Sequence, residues 1–247
     1  MPRNATAGRL PIKTNLINGL FFDGTAGVGT ATAPADVKIA TKTVRVILRP
    51  TRLYSSTVGI FGLNTANWYL AFAGSAYRYS YFDASGVQKV GGSTAGTVVA
   101  NVPQEVVMVH SNDGVAGGEV YLDFYIKGVF INRVTNTNGD GGGAWGTALT
   151  VGAAVGVRSA SSIYLAEIYA SALTAQDVAD LWINKPIATM PIHQYIPNAS
   201  ASTLSDTGSG TTTDLALSST FLTNDAPFME RTAQVGRIAE SGRIPVT

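Results

Sequence analysis

The sequence contains no cysteine, so it carries neither a disulfide framework nor a thiolate metal site. Charge is scarce as well: acidic and basic residues make up 13% of the chain, and 17 Lys and Arg against 16 Asp and Glu leave a net charge of +1. That balance argues against a nucleic-acid partner, which calls for a basic face. There are only two histidines, His110 and His193, and neither sits beside an Asp and a nucleophile in a recognisable catalytic order. No run of apolar residues approaches the length of a membrane span, and "MPRNATAGRLPIKTN" lacks the apolar core of a signal peptide. These absences lead us to expect a soluble protein made in a cytoplasm, with no membrane partner.

Glycine is plentiful, with 27 residues, and Ala, Thr and Ser are abundant. Short apolar runs follow one another between turn signals: "GLFFDG", "TVRVILRP", "VGIFGL", "WYLAFAG", "YRYSYFD", "EVVMVHS", "EVYLDFYIKG", "ALTVGAAVG" and "SIYLAEIYAS". In "TVRVILR" strict alternation puts Val44, Val46 and Leu48 on one face. Strands of this length at a spacing of about 8–12 residues predict an antiparallel sandwich. One segment breaks the pattern. In "LTAQDVADLW", Leu173, Val178, Leu181 and Trp182 recur at helical spacing, Thr174 is placed as an N-cap with Asp177 three residues on, and Pro186 ends the run. A single short helix is predicted.

Three stretches together resemble the laminin G-like, or concanavalin A-like lectin/glucanase, sandwich. "LFFDGTAGVGTATAPADVKIATKTVRVILRP" is similar to its opening strands, "VYLDFYIKGVFINR" to its hairpin, and "LTVGAAVGVRSASSIYLAEIYASALTAQDVADLW" to its closing strand and helix. The resemblance covers about residues 19–184. It implies an all-β, two-sheet antiparallel jelly-roll sandwich whose helix plugs one open end. "HQYIPNASASTLSDTGSGTTTDLALSSTF" resembles the segment that normally precedes the Phe-Asp-Gly strand, but here it follows the helix. Residues 185–222 are therefore expected to be either an extra β-hairpin or a permuted segment completing the sandwich. Residues 1–18 and 223–247 are read as extended N- and C-terminal arms.

Enzymatic function finds little to stand on. The glucanase branch of the family places two carboxylates about 5–5.5 Å apart. Glu119 and Asp123 lie four residues apart on one strand face, a reach of about 13 Å, and are expected to be solvent-side residues. No cofactor is expected. Calcium, which some relatives bind, would need more than the loop acids Asp113 and Asp140, which form no cluster of three.

Binding is the better-founded expectation. Sugars stack on aromatic rings, and Trp145 sits inside the glycine loop "NGDGGGAWG". Tyr77, Tyr79 and Tyr81 alternate along one strand, so their rings share a face: either a platform for glycan or another subunit, or part of the core. The ends suggest assembly. "AGRLPI", "VGRIAE" and "SGRIPV" repeat a small-Gly-Arg-aliphatic unit. Arg9, Leu10, Ile12, Phe228, Arg237, Ile238, Arg243 and Ile244 are the residues expected to anchor the arms on neighbours. Phage virion proteins often use this sandwich, and by that analogy the expected role is a structural protein of a bacteriophage particle: capsid decoration, fibre or tail component. Its partners would be copies of itself and other virion proteins. The alternative is a module binding host-surface polysaccharide.

Overall fold

A computed structural model describes residues 19–223 except 26, 65–67, 84, 113–117, 138–145, 155–156, 198–201 and 219–220. Both expected arms lie outside the described residues, apart from residue 223. The strands, in chain order, are β1 (Gly19–Asp23), β2 (Val28–Thr32), β3 (Lys42–Pro50), β4 (Val58–Leu63), β5 (Trp68–Ala73), β6 (Ala76–Phe82), β7 (Gln88–Gly92), β8 (Gln104–Asn112) and β9 (Val120–Ile126). They continue with β10 (Val129–Asn136), β11 (Ala148–Val151), β12 (Ala153–Ala154), β13 (Val157–Arg158), β14 (Ala160–Tyr169), β15 (His193–Tyr195), β16 (Thr203–Leu204), β17 (Leu215–Ser218) and β18 (Phe221–Thr223). The one α-helix among the described residues, α1, spans Ala175–Trp182, and a 3-10 turn spans Ala35–Val37.

Two sheets face each other. The first has the order β10-β9-β8-β3-β14-β1-β18, with β15 also pairing β14; the second runs β16-β17-β2-β11-β4-β5-β6-β7. All pairings along these two orders are antiparallel. The architecture is the all-β sandwich that strand spacing predicts. β1 and β15 divide one edge of β14 between them: Leu20 to Asp23 pair with its first half, and His193 to Tyr195 with its second. β16 and β17 form a hairpin that extends the second sheet past β2. Residues 193–223 thus add strands to both sheets, and Tyr195, Leu204 and Leu215 enter the common core.

Alternation decides what faces inward. Val44, Val46 and Leu48 of β3 point between the sheets with Val106 and Met108 of β8 and Leu122 and Phe124 of β9. The second sheet answers with Trp68, Leu70 and Phe72 of β5 and with Tyr77, Tyr79 and Tyr81 of β6. The tyrosine ladder is therefore core and not platform: all three residues are fully buried, while Arg78 between them is exposed. Inside, Tyr77 donates its hydroxyl to Gln104 Oε1 (3.2 Å) and the Tyr79 hydroxyl lies 3.3 Å from His110 Nδ1. Burial pushes the Tyr77 phenol well above its ordinary pKa and pulls His110 well below its own, Lys42 adding to the latter, so both rings stay neutral.

The helix also sits differently from expectation. It does not plug an open end. Val178 and Leu181 pack on Val107, Val109, Tyr125 and Tyr169, a cluster separate from the core. Those side chains belong to the outer face of the first sheet. The physical reason is that this sheet carries an apolar patch on its outer face as well, and that patch needs a cover of its own.

Candidate binding site on the outer sheet face

Across the outer face of the first sheet, alternation aligns one residue from each of three neighbouring strands: Glu105 of β8, Arg45 of β3 and Glu167 of β14. They are 0%, 1% and 1% exposed, a desolvation that only pairing can offset. Arg45 Nε donates to Glu105 Oε1 (2.5 Å) and its Nη1 to Glu167 Oε2 (2.9 Å). Tyr169 donates its hydroxyl to the same Glu167 oxygen (2.8 Å), and Gln194 Nε2 donates to Glu167 Oε1 (2.6 Å). Burial alone would pull the Arg45 guanidinium down, but the two carboxylates outweigh it and hold the charge firmly. Burial also pushes Tyr169 well above the usual phenol range, and Glu167 reinforces it, so Tyr169 remains a donor.

Helix α1 stands over this cluster. Its start is fixed by a capping box, Asp177 N–H donating to Thr174 Oγ1 (3.1 Å) and Thr174 N–H to Asp177 Oδ2 (3.0 Å), the pair the sequence suggests. It ends in a Schellman turn: Asn184 N–H bonds the Leu181 carbonyl and Lys185 N–H the Asp180 carbonyl. Asn184 takes the left-handed conformation that such a turn demands, at φ 57°. Arg45 Nη2 also donates to the Leu181 carbonyl (3.3 Å), bringing a cation to the helix C-terminus.

From there the chain returns across the sheet to β15, and between that return and the sheet lies a pocket of about 160 Å³. Its polar lining includes Glu167, Tyr169, Asn184, Thr189 and Gln194, and its apolar lining includes Leu181, Ile187 and Met190. Lys185 also lines it but is committed to Asp180 at 2.6 Å. Asn184 is 5% exposed, and its Nδ2 has no acceptor.

A second polar cluster ties the return segment down. His193, fully buried, bonds Asp206 Oδ2 through Nδ1 (2.6 Å) and Asp36 Oδ1 through Nε2 (2.9 Å). Asp206 further accepts from the backbone N–H groups of Gln194, Gly208 and Thr213, and Asp36 from that of Thr211. Burial pulls the imidazole down, but hydrogen bonds and charge from both carboxylates raise it above its ordinary value. Both aspartates are held below theirs, the bonds overcoming burial. The sequence reading found no Asp for His193; the fold supplies two.

Of the residues singled out from sequence, Glu119 and Asp123 have structural partners. Glu119 accepts from the Tyr121 hydroxyl, and Asp123 is held bidentate by Arg133 (2.6 and 2.8 Å). Glu119 is exposed as expected, whereas Asp123 is buried under its arginine. Trp145, Asp113, Asp140 and the arm residues Arg9, Leu10, Ile12, Phe228, Arg237, Ile238, Arg243 and Ile244 lie outside the described residues. Glu167, Asn184 and Gln194 were not anticipated. Their traces in the sequence are a lone Glu inside an apolar strand, an Asn just past a helix, and a loop bracketed by Pro186 and Pro191.

No protein-family model and no curated protein matches the sequence. Solved structures do match the fold. A candidate carbohydrate-binding protein from Bacteroides ovatus superimposes with a TM-score of 0.61 at 8% identity, over 84% of this chain and 59% of its own. The receptor-binding domain of botulinum neurotoxin C/D mosaic serotype gives 0.53 at 10% identity, over 78% and 53%. This chain therefore spans between half and three-fifths of those neighbours. The structural neighbours are carbohydrate-binding and receptor-binding β-sandwich domains, and the likeness is one of fold. No comparison lends support to a virion role.

Proposed function

We propose that this chain is a non-enzymatic glycan-binding module, the alternative raised by its sequence. The observation that carries the reading is the pocket on the outer sheet face. It is concave, its walls are largely apolar, and it holds a few polar groups, of which Glu167, Tyr169 and Gln194 are fixed by hydrogen bonds to one another and to Arg45, the usual composition of a small-molecule site. The neighbours described above add support of fold-level kind: they are named for carbohydrate or receptor binding. Trp145 remains a second contact to test, since an aromatic side chain in a glycine loop suits stacking on a sugar face.

A glycan array probed with the purified full chain tests the proposal. Reproducible binding to at least one oligosaccharide or bacterial polysaccharide, weakened by Trp145→Ala or by substitutions in the pocket, is the expected result. A blank array, with the folded state verified by circular dichroism, would refute it and return attention to assembly of a phage particle.

A further inference from the structure

We infer that the pocket beneath the helix-to-β15 return takes the acetamido group of a neutral N-acetylated amino sugar, an inference that rests on the glycan-binding reading above. Size is the first argument. About 160 Å³ is below the roughly 300–1,000 Å³ typical of whole small-molecule sites. The pocket suits one substituent, with the rest of the ligand lying outside across its mouth. Lys185, Pro186 and Met190, all exposed, stand there; Met190 is 67% exposed.

The lining then selects the substituent. Leu181, Ile187 and Met190 offer a methyl-sized apolar wall. Asn184 provides an amide donor whose burial without an acceptor is unfavourable until a carbonyl oxygen arrives. Glu167 provides the complementary acceptor. Its Oε2 already receives two donors, but among the described residues its Oε1 receives only Gln194, and a carboxylate oxygen accepts two. Methyl, carbonyl and N–H are the three parts of an acetamido group. A bare hydroxyl would leave the apolar wall unfilled.

Charge narrows the choice further. Arg45 is one guanidinium facing two carboxylates, Glu105 and Glu167, and Lys185 is neutralised by Asp180. The residual field is negative, which disfavours sialic and uronic acids. A free amino sugar satisfies the charge but presents an ammonium to the Asn184 donor and no methyl to the wall. The N-acetylated, uncharged sugar is the form that meets the apolar wall, the Asn184 donor and the Glu167 acceptor together.

Saturation-transfer NMR on the full chain, with N-acetylglucosamine and N-acetylgalactosamine as probes and glucose and glucosamine as controls, tests this directly. The strongest transfer is expected at the acetyl methyl, with little to either control. Asn184→Asp keeps the size and tolerates the left-handed turn but removes the donor; binding should weaken about tenfold, the equivalent of one hydrogen bond. Ile187→Trp, at a half-buried wall position, fills the pocket without touching a hydrogen bond and should abolish transfer, so the test survives if Asn184→Asp does not fold. Equal transfer to N-acetylglucosamine and glucose, or binding indifferent to both variants, would overturn the inference. If glycans bind on an array without an acetamido preference, the inference alone fails. If no glycan binds at all, the functional reading fails with it.

Discussion

Replacing Arg45 by Met interrogates the charge cluster that supports the site. The side chain loses its guanidinium but keeps its length, so Glu105 and Glu167 remain as two carboxylates with 0% and 1% exposure and no cation between them. Glu167 would retain Tyr169 and Gln194 as donors, which soften but do not replace the lost charge. Removing one partner of such a buried pair costs about 3–5 kcal/mol. For a chain of this size that lowers the melting temperature by about 6–20 °C. The deficit should itself depend on pH. Without Arg45, two carboxylates are buried with no cation beside them, an arrangement that protonation relieves. The penalty should therefore be smaller in acid, where carboxylates are neutralised, and larger at neutral pH. Urea unfolding of wild type and variant at pH 4.5 and 7.5 measures it, with the gap widening at the higher pH. Adding Glu105→Gln and Glu167→Gln to the variant should close most of that widening. A gap under about 0.5 kcal/mol at pH 7.5, the size of an ordinary surface substitution, would refute the reasoning. So would a large gap that pH leaves unchanged.

Leu181→Ala removes the helix residue that rests on Val107 and Tyr125; at 5% exposure it should cost about 2–5 kcal/mol, and an unchanged melting curve would show the helix to be dispensable. The His193 cluster should make stability fall on the alkaline side. Its raised imidazole contributes fully below the unfolded value of about 6.5 and loses that contribution as pH climbs through the folded pKa, while the lowered Asp36 and Asp206 contribute above about 3.9 and lose theirs in acid. Urea midpoints between pH 6 and 8.5 should therefore decline more steeply for wild type than for His193→Gln, and parallel curves would contradict the assignment. If the C-terminal arm anchors on neighbouring copies, as its sequence leads us to expect, deleting residues 229–247 should leave a folded sandwich of lower oligomeric state; an unchanged state by light scattering would remove that role.

Strand-level order was legible because it is local. Val44, Val46 and Leu48 announce their shared face, and Thr174 with Asp177 announces a helix start that the structure realises bond for bond. β7 was missed because "QKVGG" is a polar, glycine-bearing edge strand with little hydrophobic pattern to read. The tyrosines of β6 show the limit of periodicity: it groups Tyr77, Tyr79 and Tyr81 on one face but does not say whether water or the opposite sheet lies there. The charge cluster was hidden for a different reason. Arg45, Glu105 and Glu167 each look like an isolated charge in an apolar strand, and only the in-register pairing of Arg45 with Val107 and Glu167 brings their rows together. His193 finds one aspartate in its own segment and the other in a 3-10 turn far earlier in the chain, a meeting that no local spacing encodes.

The way β14 is shared has a consequence for how the chain acquires its shape. Its partners β1 and β3 are made long before it: Leu20 must wait for Ile163, and Val46 for Ala166. At about 5–20 residues per second of synthesis, β1 remains unpaired with β14 for roughly 7–30 s. During that time Leu20 and Phe22, both buried in the finished protein, have no native cover from that strand. Closing loops of this length is slow, and sheets dominated by distant pairings fold on the millisecond-to-second scale. The same strand that unites the first sheet therefore makes its completion a late event, and the apolar faces of the early strands wait uncovered by it until then.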